Sequence, residues 1–250
     1  SFGTPFGRYK FLRLPFGVKI CAEVFQKKNS ELFENIKGVK IYIDDIIIYG
    51  STKEEHDNVL KKVLEIAKEA NITFNKNKFQ FKKEKIKILG HVISNEGIEI
   101  DPNRKLAIEA MPEPENKKAL LRFLGMIKYV NKFILNLSAI TAPLRELTKD
   151  DVEWEWKPIH SKCVLKLKKL LTNSPILAHY DENGPITIQT DACNEGIGCV
   201  ILQNNRPIAY ASRSLTKTEQ RYSIIEKELL GCCFSMERFL YYVYGREVEI

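Results

Sequence analysis

Asp44 and Asp45 are adjacent carboxylates between two apolar stretches, Val39-Lys40-Ile41 before the Tyr42-Ile43-Asp44-Asp45 run and Ile46-Ile47-Ile48-Tyr49 after it. Both flanks are β-branched and aromatic, so they read as strands with the acidic pair at the turn between them. Side-by-side anions repel, and an apolar hairpin gains nothing from them. A divalent cation would supply the reason, since Mg²⁺ is commonly held by one or two carboxylates together with substrate phosphates. Asp also suits turns for local reasons. On the tetrapeptide alone, an ordinary acidic turn stays open beside the metal reading.

A second pair of carboxylates stands further along. Ile186-Thr187-Ile188-Gln189-Thr190-Asp191 alternates as a strand and ends in Asp191, where the backbone can aim the side chain at a site. Glu228 lies in a stretch, Thr216 to Tyr242, that reads as one long helix. Ile224, Ile225, Cys232, Met236 and Phe239 mark its apolar side. At about 100° per residue, Glu228 falls on the flank of that side, while Glu226 and Glu237 project towards solvent. A carboxylate bordering a core is costly unless paired or metal-bound. A partly exposed glutamate on an amphipathic helix is the plain alternative, and both readings stand.

The elements that must position these groups follow from periodicity. Val18 to Phe33 has helical spacing closed by Gly38, and the acidic hairpin comes next. Ser51-Thr52-Lys53-Glu54 reads as a capping box opening a helix whose apolar face is Val59, Leu60, Val63, Leu64, Ile66 and Ala67. Ile72 to Ile100 reads as short strands broken at Gly90 and Asn95-Glu96-Gly97, and together these elements make an α+β unit. Asp101-Pro102 opens a helical region with Pro at the first helical position, and helices are predicted near Asn116–Val130, Ala139–Leu147 and Ser161–Leu171. Trp154 and Trp156 lie in the connector between the last two, where packing is a better account than stacking on bases. After Asp191, strands are predicted at Gly196–Leu202 and Pro207–Ser212, then the long helix, then a strand opening at Glu247.

The chain has 250 residues, room for about two domains at roughly 100–200 residues each. Its 44% hydrophobic and 28% charged content are those of a globular protein. No uncharged apolar run approaches about 18 residues, so no membrane span is expected, and no signal-peptide pattern is visible. The net charge of +7 fits a nucleic-acid binder without establishing one. Lys76, Lys78, Lys82, Lys83, Lys85 and Lys87 alternate with Phe79, Phe81, Ile86 and Ile88, as a basic strand face would. Lys117, Lys118, Arg122, Lys128 and Lys132 would line a duplex groove or simply a solvated helix face. The six cysteines include no Cys-x-x-Cys pair and no assembled zinc set. Cys193, Cys199, Cys232 and Cys233 sit among apolar neighbours and read as buried free thiols.

Several motifs stand in one order: Gly3-Thr4-Pro5-Phe6-Gly7-Arg8-Tyr9, Leu14-Pro15-Phe16-Gly17-Val18, Phe25-Gln26, Tyr42-Ile43-Asp44-Asp45, Leu89-Gly90-His91, Phe123-Leu124-Gly125, Thr190-Asp191-Ala192 and Glu226-Lys227-Glu228-Leu229-Leu230. In that order they resemble the reverse transcriptases of gypsy-type long-terminal-repeat retrotransposons across essentially the whole chain. The resemblance implies an α+β chain in three parts: a partial polymerase palm at 1–100, a helical thumb and connection at 101–184, and the N-terminal half of a ribonuclease H-like α/β domain at 185–250. It implies that Asp44, Asp45, Asp191 and Glu228 are catalytic and hold Mg²⁺ or Mn²⁺. It assigns Leu14, Pro15, Phe16, Gly17 and Gln26 to a nucleotide and template pocket, and Leu89, Gly90 and His91 to a primer grip. The implied partners are an RNA template, a DNA primer, an RNA–DNA hybrid and deoxynucleotides, with no membrane. The implied setting is the cytoplasm, a virus-like particle or the nucleus.

The sequence also departs from the family pattern. The family's first polymerase Asp and its fingers precede the Gly-Arg-Tyr segment, and a further ribonuclease H Asp follows the fourth strand. The expectation is therefore a Pol fragment whose metal sites are incomplete and which is inactive by itself. A non-catalytic or domesticated nucleic-acid-binding remnant is the alternative. Ile20-Cys21 stands where the family usually has small residues followed by Ala-Pro, and Cys193 replaces a commoner Ser.

Overall fold

The structure is a computed structural model that describes residues 1–15 and 17–250. It divides into two compact units, Ser1–Phe81 and Lys82–Ile250, each described by itself. Their elements are mixed α and β, as the sequence predicts.

The first unit begins with the small hairpin β1 (Phe2–Thr4) and β2 (Gly7–Tyr9) and continues into α1 (Cys21–Phe33). The two-stranded antiparallel sheet of β3 (Val39–Tyr42) and β4 (Asp45–Ile48) follows, then α2 (Lys53–Glu69). Its core is Phe33, Val39, Val59, Val63 and Ala67, one stripe from each helix against the sheet. The cap of α2 falls one residue later than its sequence pattern suggests. Thr52 Oγ1 accepts from the Glu55 N–H at 3.1 Å, and Glu55 Oε2 accepts from the Ser51 N–H at 2.8 Å. Leu64, expected on the buried face, is exposed.

The second unit opens with the three-stranded antiparallel sheet β5 (Ile86–Ile88), β6 (His91–Ser94) and β7 (Gly97–Ile100). Helices α3 (Pro102–Glu109), α4 (Lys117–Tyr129), α5 (Leu137–Glu146) and α6 (Pro158–Thr172) pack around Leu120, Phe123, Ile127, Phe133, Leu144 and Leu167. Asp101 caps α3 as its sequence predicts, accepting from Asn103 N–H, and Asn116 caps α4, accepting from Ala119 N–H. Trp154 and Trp156 stack with ring centroids 5.6 Å apart against this core, and Trp156 Nε1 donates to Glu113 at 3.0 Å.

From Ile186 onwards the second unit forms a four-stranded sheet in the order β10 (Arg206–Ser214), β9 (Gly196–Gln203), β8 (Ile186–Ala192), β11 (Val248–Glu249). β8, β9 and β10 form an antiparallel meander, and β11 returns parallel to β8. Helix α7 (Ile224–Arg238) packs on one face, followed by the short α8 (Leu240–Val243). A Cβ on Gly231 would lie 3.2 Å from Ile197 and 3.5 Å from Thr190, so that face carries Thr190 and Ile197. Strand alternation turns Asp191 and Gly198 to the other face, where α5 lies.

Several predicted features change. The basic strand over Lys76–Lys87 is absent apart from Ile86–Ile88. Lys76–Lys78 form a 3₁₀ turn and Phe79 and Phe81 are exposed, because Lys82 takes a left-handed backbone (φ 48°) that a strand does not allow. The long helix from Thr216 is interrupted. Glu219 exchanges hydrogen bonds with Thr216 and is held by Arg213, which closes a single turn. The reciprocal Ser223–Glu226 capping box then starts α7 afresh. The buried stripe of α7 is Lys227, Gly231 and Ser235, whereas Ile224 and Ile225 are 58% and 69% exposed. Cys233 is exposed as well, so the four cysteines of this region are not uniformly buried; Cys199 is, and burial pushes its thiol up to about 12.

Candidate functional site

In the first unit the acidic pair sits at the tip of the β3–β4 hairpin. Tyr42 pairs with Asp45, leaving Ile43 and Asp44 as a two-residue turn. Ile43 has φ of +50°, a region that β-branched side chains strongly disfavour. Helix α1 holds this turn from both sides. Gln26 Oε1 accepts from the Ile43 N–H at 2.5 Å, and Asn29 Nδ2 donates to the Ile43 carbonyl at 2.8 Å. Gln26 Nε2 also reaches Ile41 O at 3.5 Å and Ser30 Oγ at 3.2 Å. A buried amide, Asn29, and a half-buried one, Gln26, thus fix a strained peptide, and the strain turns Asp44 and Asp45 outwards, where both are exposed. The four amide contacts offset a backbone cost on the order of 1–3 kcal/mol.

The amide of Gln26, expected in a nucleotide pocket, is engaged with the hairpin. Asn29, which sequence reasoning passed over, is 5% exposed and is its partner in the clamp. Its signal was an Asn on the inner face of α1, three residues after Gln26. Leu14 and Gly17 are exposed and Pro15 is half-buried, its carbonyl accepting from the Cys21 thiol at 2.9 Å. Phe16 lies outside the described residues.

In the second unit Leu89 and Gly90 form the β5–β6 turn, both with positive φ (48° and 67°). The Tyr129 hydroxyl donates to the Leu89 carbonyl. The Arg104 guanidinium lies 4.0 Å from the centre of the Tyr129 ring and closes over Gly90, where a Cβ would meet it at 2.7 Å. His91 stacks between Tyr129 and Phe133, with ring centroids 5.7 and 5.6 Å away. Burial, then the charges of Lys132 and Arg104, hold its imidazole at about 4, so it is neutral at pH 7. Lys132 is itself lowered by burial, and Lys117 is committed to the carbonyls of Lys149 and Val152 at 2.6 Å each. Of the basic residues predicted to face a duplex, Lys117 therefore serves the fold.

On the four-stranded sheet, Asp191 and Glu228 lie on opposite sides. Asp191 faces α5 and accepts from Asn136 Nδ2 at 2.9 Å. Thr190, its neighbour, is the residue under α7, with its hydroxyl 3.8 Å from Cys232 Sγ. Glu228 is half-buried on α7, one turn before Cys232. Between the two glutamates of that segment, Lys227 is 4% exposed and donates to Asn194 Oδ1 in the β8–β9 loop at 3.0 Å.

Among the described residues, no three His, Cys, Asp or Glu side chains gather in one place. The hairpin offers two adjacent hard-oxygen donors and the sheet one free oxygen of Asp191. Such donors suit Mg²⁺ or Mn²⁺ when substrate phosphates and water complete the shell. The donor sets fit a divalent ion in that partial sense.

Two family profiles match the chain. The profile described as "Reverse transcriptase (RNA-dependent DNA polymerase)" matches residues 1–93, and that described as "RNase H-like domain found in reverse transcriptase" matches residues 156–250. This chain belongs to the reverse transcriptases of retrotransposon Pol polyproteins. It is 37% identical over 98% of its length to the Pol polyprotein from transposon opus of Drosophila melanogaster, and 31% identical over 97% to the transposon Tf2-7 polyprotein of Schizosaccharomyces pombe. It spans 26% and 19% of those two polyproteins. Among solved structures, it is similar to the foamy viral protease–reverse transcriptase in complex with RNA/DNA hybrid, with TM-score 0.84, 26% identity and coverage of 94% of this chain and 33% of that one. The same viral protein in complex with dsDNA gives TM-score 0.84 and 26% identity, covering 94% of this chain and 50% of that one. The chain thus carries a reverse transcriptase family region and a ribonuclease H-like region, and no helix among its described residues is long and apolar enough to cross a membrane.

Proposed function

We propose that the Asp44–Asp45 hairpin is a nucleotidyl-transfer centre and that Asp191, on the α5 side of the four-stranded sheet, serves hydrolysis of an RNA strand. In this reading residues 1–100 are palm, 101–184 thumb and connection, and 185–250 the ribonuclease H-like domain. The polymerase reaction is attack of a DNA primer's 3′-hydroxyl on the α-phosphate of a deoxynucleotide, directed by an RNA template. Bound Mg²⁺ or Mn²⁺ would supply charge stabilisation for the developing negative charge. Asp44 is the direct ligand and Asp45 assists. Gln26 and Asn29 keep the turn rigid, so the carboxylates need no reorganisation when charge develops. Leu14, Pro15 and Gly17 shape the approach of nucleotide and template. Leu89, Gly90 and His91, braced by Tyr129 and Arg104, position the primer end, and the RNA–DNA hybrid is the ligand of the ribonuclease H-like sheet.

The observation that carries this reading is the strained Ile43 peptide held by the side-chain amides of Gln26 and Asn29 beneath two exposed carboxylates. A solvent-exposed hairpin gains no stability from such an arrangement, whereas a metal site gains direction. The test is Mn²⁺-induced line broadening in the isotopically labelled chain, with and without a primer–template duplex. Broadening should centre on residues 42–46 and disappear in Asp44→Asn. Broadening that ignores this hairpin, or survives Asp44→Asn unchanged, refutes the proposal and leaves only nucleic-acid binding.

A further inference from the structure

We propose that Asn136 is a positioning residue for Asp191, reaching from the helical segment to hold that carboxylate ready for a divalent cation. The inference rests on the reading of Asp191 as a metal ligand. Asn136 stands at the head of α5 with a left-handed backbone (φ 52°, ψ 31°). Asn at that position ordinarily caps its own helix by accepting from an N–H of the first turn. Here it makes no such bond. The Ser138 N–H is instead taken by Ser212 Oγ of β10 at 3.0 Å, which leaves the Asn136 amide free to lie across the sheet.

The sheet is shaped to receive it. Asp191, Gly198 and Ser212 are direct cross-strand neighbours and share one face. A Cβ on Gly198 would sit 1.5 Å from Asn136 Oδ1, so only glycine leaves room for the amide. That Oδ1 is buried and has no hydrogen-bond partner. An amide with a buried, unsatisfied oxygen is costly, and its nitrogen is where the return lies, at 2.9 Å from Asp191 Oδ2. The opposite amide orientation would set oxygen against carboxylate oxygen, so the chemistry fixes which way it points.

A neutral donor is well suited to this task. It restricts the carboxylate to one rotamer and occupies one of its oxygens, while adding no positive charge that would compete with a cation for the other. Lys or Arg in the same place would neutralise Asp191 and oppose metal binding. Outer hydrogen-bond partners of metal ligands typically account for about 10–100-fold in affinity. Asp191 is exposed, so the lower end, about tenfold, is expected here.

The test is the apparent Mn²⁺ affinity read from broadening of the β8 and β9 amides in the isotopically labelled chain. Asn136→Gly removes the amide and keeps the left-handed backbone accessible. It should weaken Mn²⁺ binding at this site about tenfold. Gly198→Ala should do the same by expelling the amide, and the double variant should be no weaker than Asn136→Gly alone. Should Gly198→Ala fail to fold, the double variant, in which the clashing amide is gone, still completes the comparison. Asp191→Asn should abolish the focused broadening. If Asn136→Gly lowers stability but binds Mn²⁺ as the wild type does, while Asp191→Asn loses it, the positioning role is overturned and the carboxylate reading survives. If Asp191→Asn leaves the broadening in place, the metal reading of Asp191 itself fails, and the inference with it.

Discussion

The state of His91 offers a quantitative test of how the Leu89–Gly90 turn is built. The imidazole lies between Tyr129 and Phe133, faces the cations Arg104 and Lys132, and has a buried Nδ1 with no partner. Its pKa is lowered from 6.5 to about 4. The folded state therefore refuses a proton that the unfolded chain accepts. Stability from this site is complete above pH 6.5 and declines as pH falls from there towards about 4. The slope is about 1.4 kcal/mol per pH unit, for a total of roughly 3 kcal/mol as an upper figure. His91→Phe keeps a ring between the two aromatics and removes the titration. Chemical denaturation of both proteins at intervals from pH 7.5 to 5 should give curves that converge as pH falls, with the wild type losing about 2 kcal/mol more over the window. In parallel, the His91 ring proton should show no titration above about pH 5 in NMR spectra. Parallel stability curves, or a His91 pKa near 6.5, would refute the burial argument and the fixed geometry assigned to this turn.

Other outcomes follow from the same structure. Asn29→Ala and Gln26→Ala should each destabilise the first unit by about 1–3 kcal/mol, because each leaves a half-buried backbone group of Ile43 without its partner; Ile43→Gly should recover part of that loss by relieving the backbone, as read by denaturation midpoints. Gly97→Ala should disrupt the second unit, since its Cβ would fall 2.1 Å from the Leu177 carbonyl at a φ of +141°, and loss of amide-exchange protection at Ile98 would report it. Glu219 is held at about 2, chiefly by the Arg213 hydrogen bond and then by the Thr216 N–H, so its carboxylate should stay ionised in NMR titrations down to about pH 3; the stability it lends is present above 4.5 and lost as pH falls towards 2. Binding to a primer–template duplex should weaken with salt, with a slope near −0.9 per phosphate contact on B-form duplex, and an affinity indifferent to salt would exclude a phosphate-tracking surface.

Much of this was legible in the chain itself. The hairpin at Asp44 and Asp45, the helices after Asp101 and Asn116, and the meander leading to Asp191 follow from alternation and local capping chemistry, which act over a few residues. So does the order of motifs that marks the family. What the sequence could not decide is which groups meet across the fold. Helical periodicity placed Ile224 and Ile225 on the buried side of α7, but the sheet beneath needs close approach at Gly231, and that selects the stripe of Lys227, Gly231 and Ser235. The clamp of Gln26 and Asn29 on Ile43 joins residues 14 to 17 positions apart. The amide of Asn136 and the carboxylate of Asp191 are 55 positions apart. Local propensity carries no information about such pairs, because their energy exists only once packing has excluded water and left each polar group a single partner.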